Sequence, residues 1–300
     1  MNWEAIHHAV LTWYAESARD LPWRRTRDPY AILVAEFMLQ QTQVDRVLPK
    51  YLAFLTQFPS FATLANASPA EVIRAWQGLG YNRRAIRLQR IALAVCEEYG
   101  GALPDTVDGL MALEGVGRYT AAAIACFAFG RSEPVLDTNV RRVLGRIALG
   151  PDGPLSGGSA AQWALAAQAL PADSAYPWNQ ALMDLGASIC TERSPRCLLC
   201  PAASWCRAIG RIPSTIRERK SPYNTTRDAP FAGSSRYYRG RIVERLRQLE
   251  DLESLSRMRL GAAIKPDFSE HDAPWLDDLL RGLAREGLLA LRPDGTVALP

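Results

Sequence analysis

No stretch of this 300-residue chain approaches the run of about 18 apolar residues that a membrane-spanning helix needs, which excludes a helical membrane protein. The first residues, Met-Asn-Trp-Glu-Ala-Ile-His-His, lack the basic and apolar blocks of a secretory signal. A reducing, cytoplasmic home is therefore expected, where disulfides are disfavoured. Alternation of Val, Ile and Thr with polar residues is scarce until the last dozen positions, which excludes an all-β body. A large charge of one sign is missing too, the formal net charge being +4. What is present, 48% hydrophobic and 22% charged residues, is ordinary globular composition with apolar material for one large or two modest cores.

Apolar residues recur at helical spacing over most of the length, so the chain is expected to be mainly α. Helices are predicted over 3–18, 29–42, 44–57, 69–75, 83–99, 107–113, 119–129, 139–149, 158–170 and 178–190, with breaks at Gly100-Gly101, Pro104 and Gly150-Pro151. From Cys206 to Arg247 there are eleven Lys or Arg against three acids, Glu218, Asp228 and Glu244. That excess suits a polyphosphate partner or a solvated linker. The Pro-, Ser- and Arg-rich composition assigns 208–235 to a basic linker joining residues 1–207 to a small module, 236–300. Within the module, 239–249 and 273–286 read as helices, and Gly287 to Leu299 as a hairpin turning at Pro293-Asp294-Gly295. Helices ending in such a hairpin predict a small winged-helix fold.

Four of the six cysteines, Cys190, Cys197, Cys200 and Cys206, fall within seventeen residues, 190–206, spaced by six, two and five. Structural zinc usually takes two Cys-x-x-Cys knuckles or a Cys/His mixture. Here there is one Cys-x-x-Cys and no nearby His, and a compact loop of four thiolates suits an iron–sulfur cluster first, zinc second and two disulfides third. Cys96 and Cys126 lie in helical patterns and read as buried small hydrophobes. Leu113-Glu114-Gly115-Val116-Gly117-Arg118-Tyr119 joins two helical stretches. Its paired glycines allow a tight turn that exposes backbone N–H groups at the next helix start, a geometry that grips phosphate. The loop reads as a helix-hairpin-helix clamp built on Gly115, Val116 and Gly117, with a plain αα turn as the alternative.

Hairpin, then Leu136-Asp137-Thr138-Asn139-Val140, then the four-cysteine loop is an order that resembles the helix-hairpin-helix base-excision DNA glycosylases, and within them the adenine-specific mismatch (MutY-type) branch. Further segments carry the resemblance: Leu21-Pro22-Trp23-Arg24, the run from Ala35 to Val44, Gly78-Leu79-Gly80-Tyr81, and Asn179 to Ala187. It extends from about Trp13 to Cys206. The resemblance implies a two-lobed fold, a helical barrel lobe plus an iron–sulfur lobe, and a 4Fe-4S cluster on the four cysteines. It implies a partner too, mismatch-containing double-stranded DNA met by a monomer in the cytoplasm or nucleoid. The implied reaction is monofunctional removal of adenine opposite 8-oxoguanine or guanine.

Breaking an adenine N-glycosidic bond calls for an acid that protonates the leaving base and a carboxylate that stabilises an oxocarbenium-like sugar. Glu36 stands among Phe37, Met38 and Leu39, where desolvation favours a protonated carboxyl. The resemblance makes it the acid at adenine N7. Asp137 precedes a helix and is suited to be its N-cap; the resemblance turns it toward the sugar, with Asn139 and Tyr119 hydrogen-bonding around it. Tyr119 stands where the endonuclease III type carries a Schiff-base lysine, so little lyase activity is expected. Gln41 and Tyr81 match wedge residues that fill the gap left by a flipped base. Arg19, Trp23, Arg24, Leu39 and Gln180 match positions lining the adenine pocket or its approach.

Departures from the family pattern are Glu114 in place of the usual Pro, Thr138 in place of Gly, and the ending. The 94 residues after Cys206 are too few and too helical for the Nudix-like domain that checks for 8-oxoguanine. Two alternatives follow: a thymine- or uracil-mismatch glycosylase, and a non-catalytic DNA-binding protein that keeps clamp and cluster.

Overall fold

The structure, a computed structural model, describes residues 1–151, 158–212, 231–250 and 253–300. Among these the helices run, in chain order, α1 (Trp3–Ser17), α2 (Pro29–Leu39), α3 (Val44–Gln57), α4 (Phe61–Asn66), α5 (Pro69–Ala75), α6 (Arg83–Glu98), α7 (Val107–Met111), α8 (Arg118–Phe127), α9 (Thr138–Ala148), α10 (Ser159–Gln168), α11 (Ala175–Ser188), α12 (Ser235–Arg247), α13 (Arg257–Ile264) and α14 (Ala273–Arg285). None is long and apolar enough to cross a membrane. The mainly α expectation holds.

Local sequence explains most of the starts. Ser60 and Ser68 each begin a helix with a capping box, paired with Thr63 and Glu71, so backbone N–H groups of the first turn are satisfied before packing begins. Other bounds depart from expectation. Helix α2 stops at Leu39 rather than Thr42 because the chain turns at Gln41, whose φ is +55°. Helices α4 and α13 were not anticipated, being too short to show a periodic stripe. Cys126 is buried as expected, but Cys96 is exposed: α6 buries Ile91, Ala92 and Val95, and Cys96 falls on the outer side of the helix.

Packing groups the described residues into two units, Met1–Glu36 with Pro104–Arg219, and Phe37–Leu103 with Lys220–Pro300. The first is built on α1 and α8 to α11. Its core holds Ile6, Val10, Val140, Val143, Leu144, Trp178, Leu182 and Leu185, with Cys190, Cys200 and Cys206 against it. In the second unit α3 to α6 enclose Tyr51, Phe54, Leu64, Trp76, Leu88 and Ile91, with the Trp76 indole edge-on to Phe54.

The rest of the second unit follows winged-helix order: α12, a strand β1 (Leu255–Ser256), α13, α14, then β2 (Ala290–Leu291) and β3 (Thr296–Ala298). The strands form one antiparallel sheet in the order β1-β3-β2, with Leu255 opposite Val297 and Ala290 opposite Ala298. The hairpin forms where expected, and β1 is the addition. Ile73 of α5 and Ile86 of α6 share one core with Ile242, Leu246, Leu260, Leu276, Leu283 and Val297. Most of the basic linker, 213–230, lies outside the described residues.

Candidate active site

Within the first unit, three groups separated in sequence come together. Glu36, on the apolar helix α2, is 6% exposed and is hydrogen-bonded by Tyr119, the second residue of α8. Burial pushes its carboxyl up to about 7; the Tyr119 hydrogen bond works against this and the nearby Asp137 charge adds to it. Its Oε2 atom is buried without a hydrogen-bond partner. Desolvation and the two carboxylates hold the Tyr119 phenol well above its ordinary range, so it stays an O–H donor.

Asp137 is the N-cap of α9, accepting from the Val140 N–H at 2.6 Å through Oδ1 while Asn139 Nδ2 donates to Oδ2 at 3.2 Å. Burial raises this carboxyl above its ordinary range, and the two hydrogen bonds offset only part of the rise. Capping and facing Glu36 are thus done by one side chain. Helix α11 fixes the surroundings. Asn179 accepts from the Val135 N–H at 3.0 Å and donates to the Glu133 carbonyl at 2.9 Å, which pins the segment leading to Asp137. Gly186 lets α9 approach: a Cβ there would lie 2.7 Å from that of Asn139. Arg142 then ties Asn139 Oδ1 (2.8 Å), the Gly186 carbonyl (2.7 Å) and the Cys190 carbonyl (2.8 Å) together.

Arg19 and Arg24 converge on a residue to which the sequence assigned no role. Asp184 is 1% exposed; Arg24 donates to both its oxygens (2.7 and 2.8 Å), and Arg19 adds Nε–H (2.6 Å) and its backbone N–H (3.1 Å). Burial pushes the Asp184 carboxyl up, but the two guanidiniums outweigh it and leave it below the usual range. The available signal was an acid inside the apolar run Ala181-Leu-Met-Asp-Leu-Gly, which on a buried helix needs a cation. Trp23 and Gln180 are buried, at 8% and 5% exposure.

The hairpin forms between α7 and α8. Gly115 takes φ +84°, Val116 is buried, and Gly117 is the N-cap of α8, which no side chain caps. Glu114 is exposed at its edge.

The cysteine loop follows α11. Cys190, Cys197, Cys200 and Cys206 line one cavity, open to solvent, with Val143, Leu185 and Ile189 on its walls. Among the described residues no three His, Cys, Asp or Glu side chains are set to hold a single metal ion. Burial pushes the Cys200 thiol up to about 12 and raises Cys206, the neighbouring sulfurs adding to both. Arg146 N–H points at Cys190 Sγ (3.5 Å) and binds the Thr191 and Glu192 carbonyls (2.7 and 2.9 Å).

In the second unit, Gln41 and Tyr81 are the two non-glycine residues with positive φ among the described residues, at +55° and +45°, and both are exposed. Such backbone costs about 1–3 kcal/mol per residue and persists where its surroundings over-determine it. Arg84, 5% exposed, provides that: its guanidinium donates to the carbonyls of Phe37, Met38, Gln40, Leu79 and Gly80 and to Thr42 Oγ1, at 2.5 to 3.2 Å. Desolvation lowers its pKa to about 10, so it remains a cation at neutral pH. This role is not legible in the sequence, because an arginine on a helix reads as solvated. Leu39 ends α2 half-buried in this unit.

Residues 34–156 match the model of the HhH-GPD superfamily of base excision DNA repair proteins. An adenine DNA glycosylase of Mycolicibacterium smegmatis is 42% identical over 295 residues, 97% of this chain and 94% of its own length. The human adenine DNA glycosylase is 46% identical over 220 residues, 69% of this chain and 40% of that protein. Among solved structures, a thermostable thymine-DNA glycosylase aligns with a TM-score of 0.64 at 33% identity, covering 68% of this chain and 94% of that one.

Proposed function

The chain belongs to the adenine DNA glycosylases of the HhH-GPD superfamily, and on that premise we propose that it excises adenine from duplex DNA, acting as a monomer on adenine opposite 8-oxoguanine or guanine. The observation that carries this reading is the pairing of Glu36 and Asp137. One buried carboxyl holds its proton to about pH 7, and beside it lies a carboxylate already supplied with two N–H donors. Burial raises both carboxyls, but their unequal hydrogen bonding is what divides acid and stabilising roles between them.

In the reaction Glu36 gives its proton to adenine N7 as the C1′–N9 bond breaks and its electron pair leaves with the base. Asp137 faces the cationic C1′ and stabilises it until water adds and gives up a proton that restores the Glu36 acid, with Asn139 holding the second oxygen of Asp137. Tyr119 donates to Glu36 and offers no amine for a Schiff base, so the strand is left intact. The turn through Gly115 and Gly117 and the helix N-terminus that follows it receive a backbone phosphate, and Gln41 and Tyr81 enter the stack when the base leaves it.

The cysteines fit a 4Fe-4S cluster. They share one cavity, and burial raises the Cys200 and Cys206 thiols, so their ionisation calls for cationic charge beside them. Cys190, Cys197, Cys200 and Cys206 would hold it, and the cluster would tie the two ends of the 190–206 loop together. The thymine-DNA glycosylase likeness keeps thymine release as the second reading.

Single-turnover base release separates the readings, using duplexes with A opposite 8-oxoguanine, A opposite G, A opposite C and T opposite G, with and without alkali. Breaks at A that need alkali are expected. Release of T alone would move the chain to the thymine branch, and DNA binding with no release would leave a non-catalytic binder.

A further inference from the structure

The winged-helix module has no role in the reading above, and its own charge argues against DNA reading. Residues 231–300 carry eleven Lys or Arg and eleven Asp or Glu, whereas duplex binding draws on a cationic excess. Helix α14, in the position that a winged helix presents to the major groove, pairs its charges within the module: Arg281 with Asp278 (2.6 Å), and Asp277 with Arg257 (3.2 Å).

The module's strongest contacts go elsewhere, to the turn that carries Tyr81. Arg247, its side chain 6% exposed, donates to Asn82 Oδ1 at 2.8 Å and to the Ile73 carbonyl at 2.9 Å. Glu244 accepts from Gln77 Nε2 at 2.5 Å, and Glu286 lies 3.8 Å from Arg83 Nε. Arg74 returns a bond to the Leu249 carbonyl at 3.1 Å. The turn from Gln77 to Arg83 is thus held by the module at three side chains, two of them next after Tyr81. Ile73 and Ile86, on the helices at either end of the turn, are buried in the module's core.

We propose that the C-terminal module is a brace that fixes the left-handed Tyr81 turn in its wedge conformation, with Arg247 and Asn82 as positioning residues. The proposal rests on the reading of Tyr81 as a wedge. The module then acts on base extrusion without touching DNA itself.

The test uses the full, cluster-loaded chain and a duplex carrying non-cleavable 2′-fluoroadenosine opposite 8-oxoguanine, with 2-aminopurine as its neighbour to report unstacking. Single-turnover release is measured alongside on the cleavable duplex. Asn82→Ala and Arg247→Leu are each expected to lower the unstacking signal and the release rate about tenfold. Affinity for undamaged duplex and its salt dependence should change by less than about twofold. Tyr81→Ala should lose as much, and Tyr81→Ala/Asn82→Ala no more than Tyr81→Ala alone, because both act through one ring. Asn82→Ala keeps the other Arg247 bonds, so it serves even where Arg247→Leu folds poorly. Normal unstacking in both module-contact variants while Tyr81→Ala is impaired would overturn the brace and leave the wedge standing. A silent Tyr81→Ala would remove the wedge and the brace together. Losses that add to Tyr81→Ala, or a weakened salt dependence in Arg247→Leu, would show structural support or direct DNA contact instead.

Discussion

Glu36 and Asp137 differ in what their oxygens receive. Asp137 takes an N–H on each oxygen, whereas Glu36 Oε2 takes none, so Glu36 is the carboxyl that keeps its proton more firmly. Release of adenine is therefore expected to fall as pH rises through about 7, and Glu36→Gln to lower the single-turnover rate by about 10²–10⁴. Stability should fall over the same range. The folded chain holds this proton to about 7 and the unfolded chain only to 4.5, so the folded state binds more protons in that window and loses stability as pH rises through it. Glutamine has no such loss. Glu36→Gln should match the parent near pH 4.5 and exceed it by about 3 kcal/mol at pH 8; thermal melts at both pH values check this, and a pH-independent difference would refute a neutral Glu36. At this scale the sequence made legible the groups whose neighbours betray them: Glu36 in an apolar helix, Asp137 before a helix. Asp184 and Arg84 were not legible, because each is set by partners that the fold brings from elsewhere, 160 residues away for Arg24 and 44 for Gln40.

Helices α9 and α11 act as a pair. Along α9, Asp137 caps, Asn139 orients, Arg142 ties to α11 and Arg146 grips the start of the cysteine loop. Along α11, Asn179, Asp184 and Gly186 each receive a different segment. Gly186→Ala tests the pairing, since its new methyl would meet Asn139 at 2.7 Å, closer than carbon atoms pack, and one helix must shift. A destabilisation of about 1–3 kcal/mol is expected, with the single-turnover rate lowered about tenfold or more through displaced Asp137 and Asn139, and with duplex affinity nearly kept. Chemical denaturation and base release read both; unchanged kinetics would mean that the approach of the helices is not what sets the site. The periodic helices were legible in outline because burial follows period 3.6. Ends were less so: α2 stops three residues early where backbone strain at Gln41 and the Arg84 bonds override helix propensity. The two-residue β1 exists only because β3 pairs with it.

At the scale of the whole molecule the chain relies on two devices that a single continuous core would not need. One is the cysteine loop: the purified chain should carry about four iron and four sulfide, and Cys200→Ala should lose them together with the melting transition of the parent, as metal assay and calorimetry would record. The other is the shared core of the C-terminal module. Ile73 and Ile86, on helices far back in the sequence, are 0% and 5% exposed because the module covers them. Each contributes roughly 1.5–3 kcal/mol by burial, so uncovering both removes about 3–6 kcal/mol from a total that is typically about 5–15. A chain ended at Ile212 should therefore be poorly soluble or melt well below the full chain. Restoring polarity with Ile73→Thr and Ile86→Thr should recover solubility but not the melting point, because the Arg247 and Glu244 contacts stay lost. A truncated chain that melts like the intact one would make the module an appendage whose contacts with α5 and α6 contribute nothing to stability.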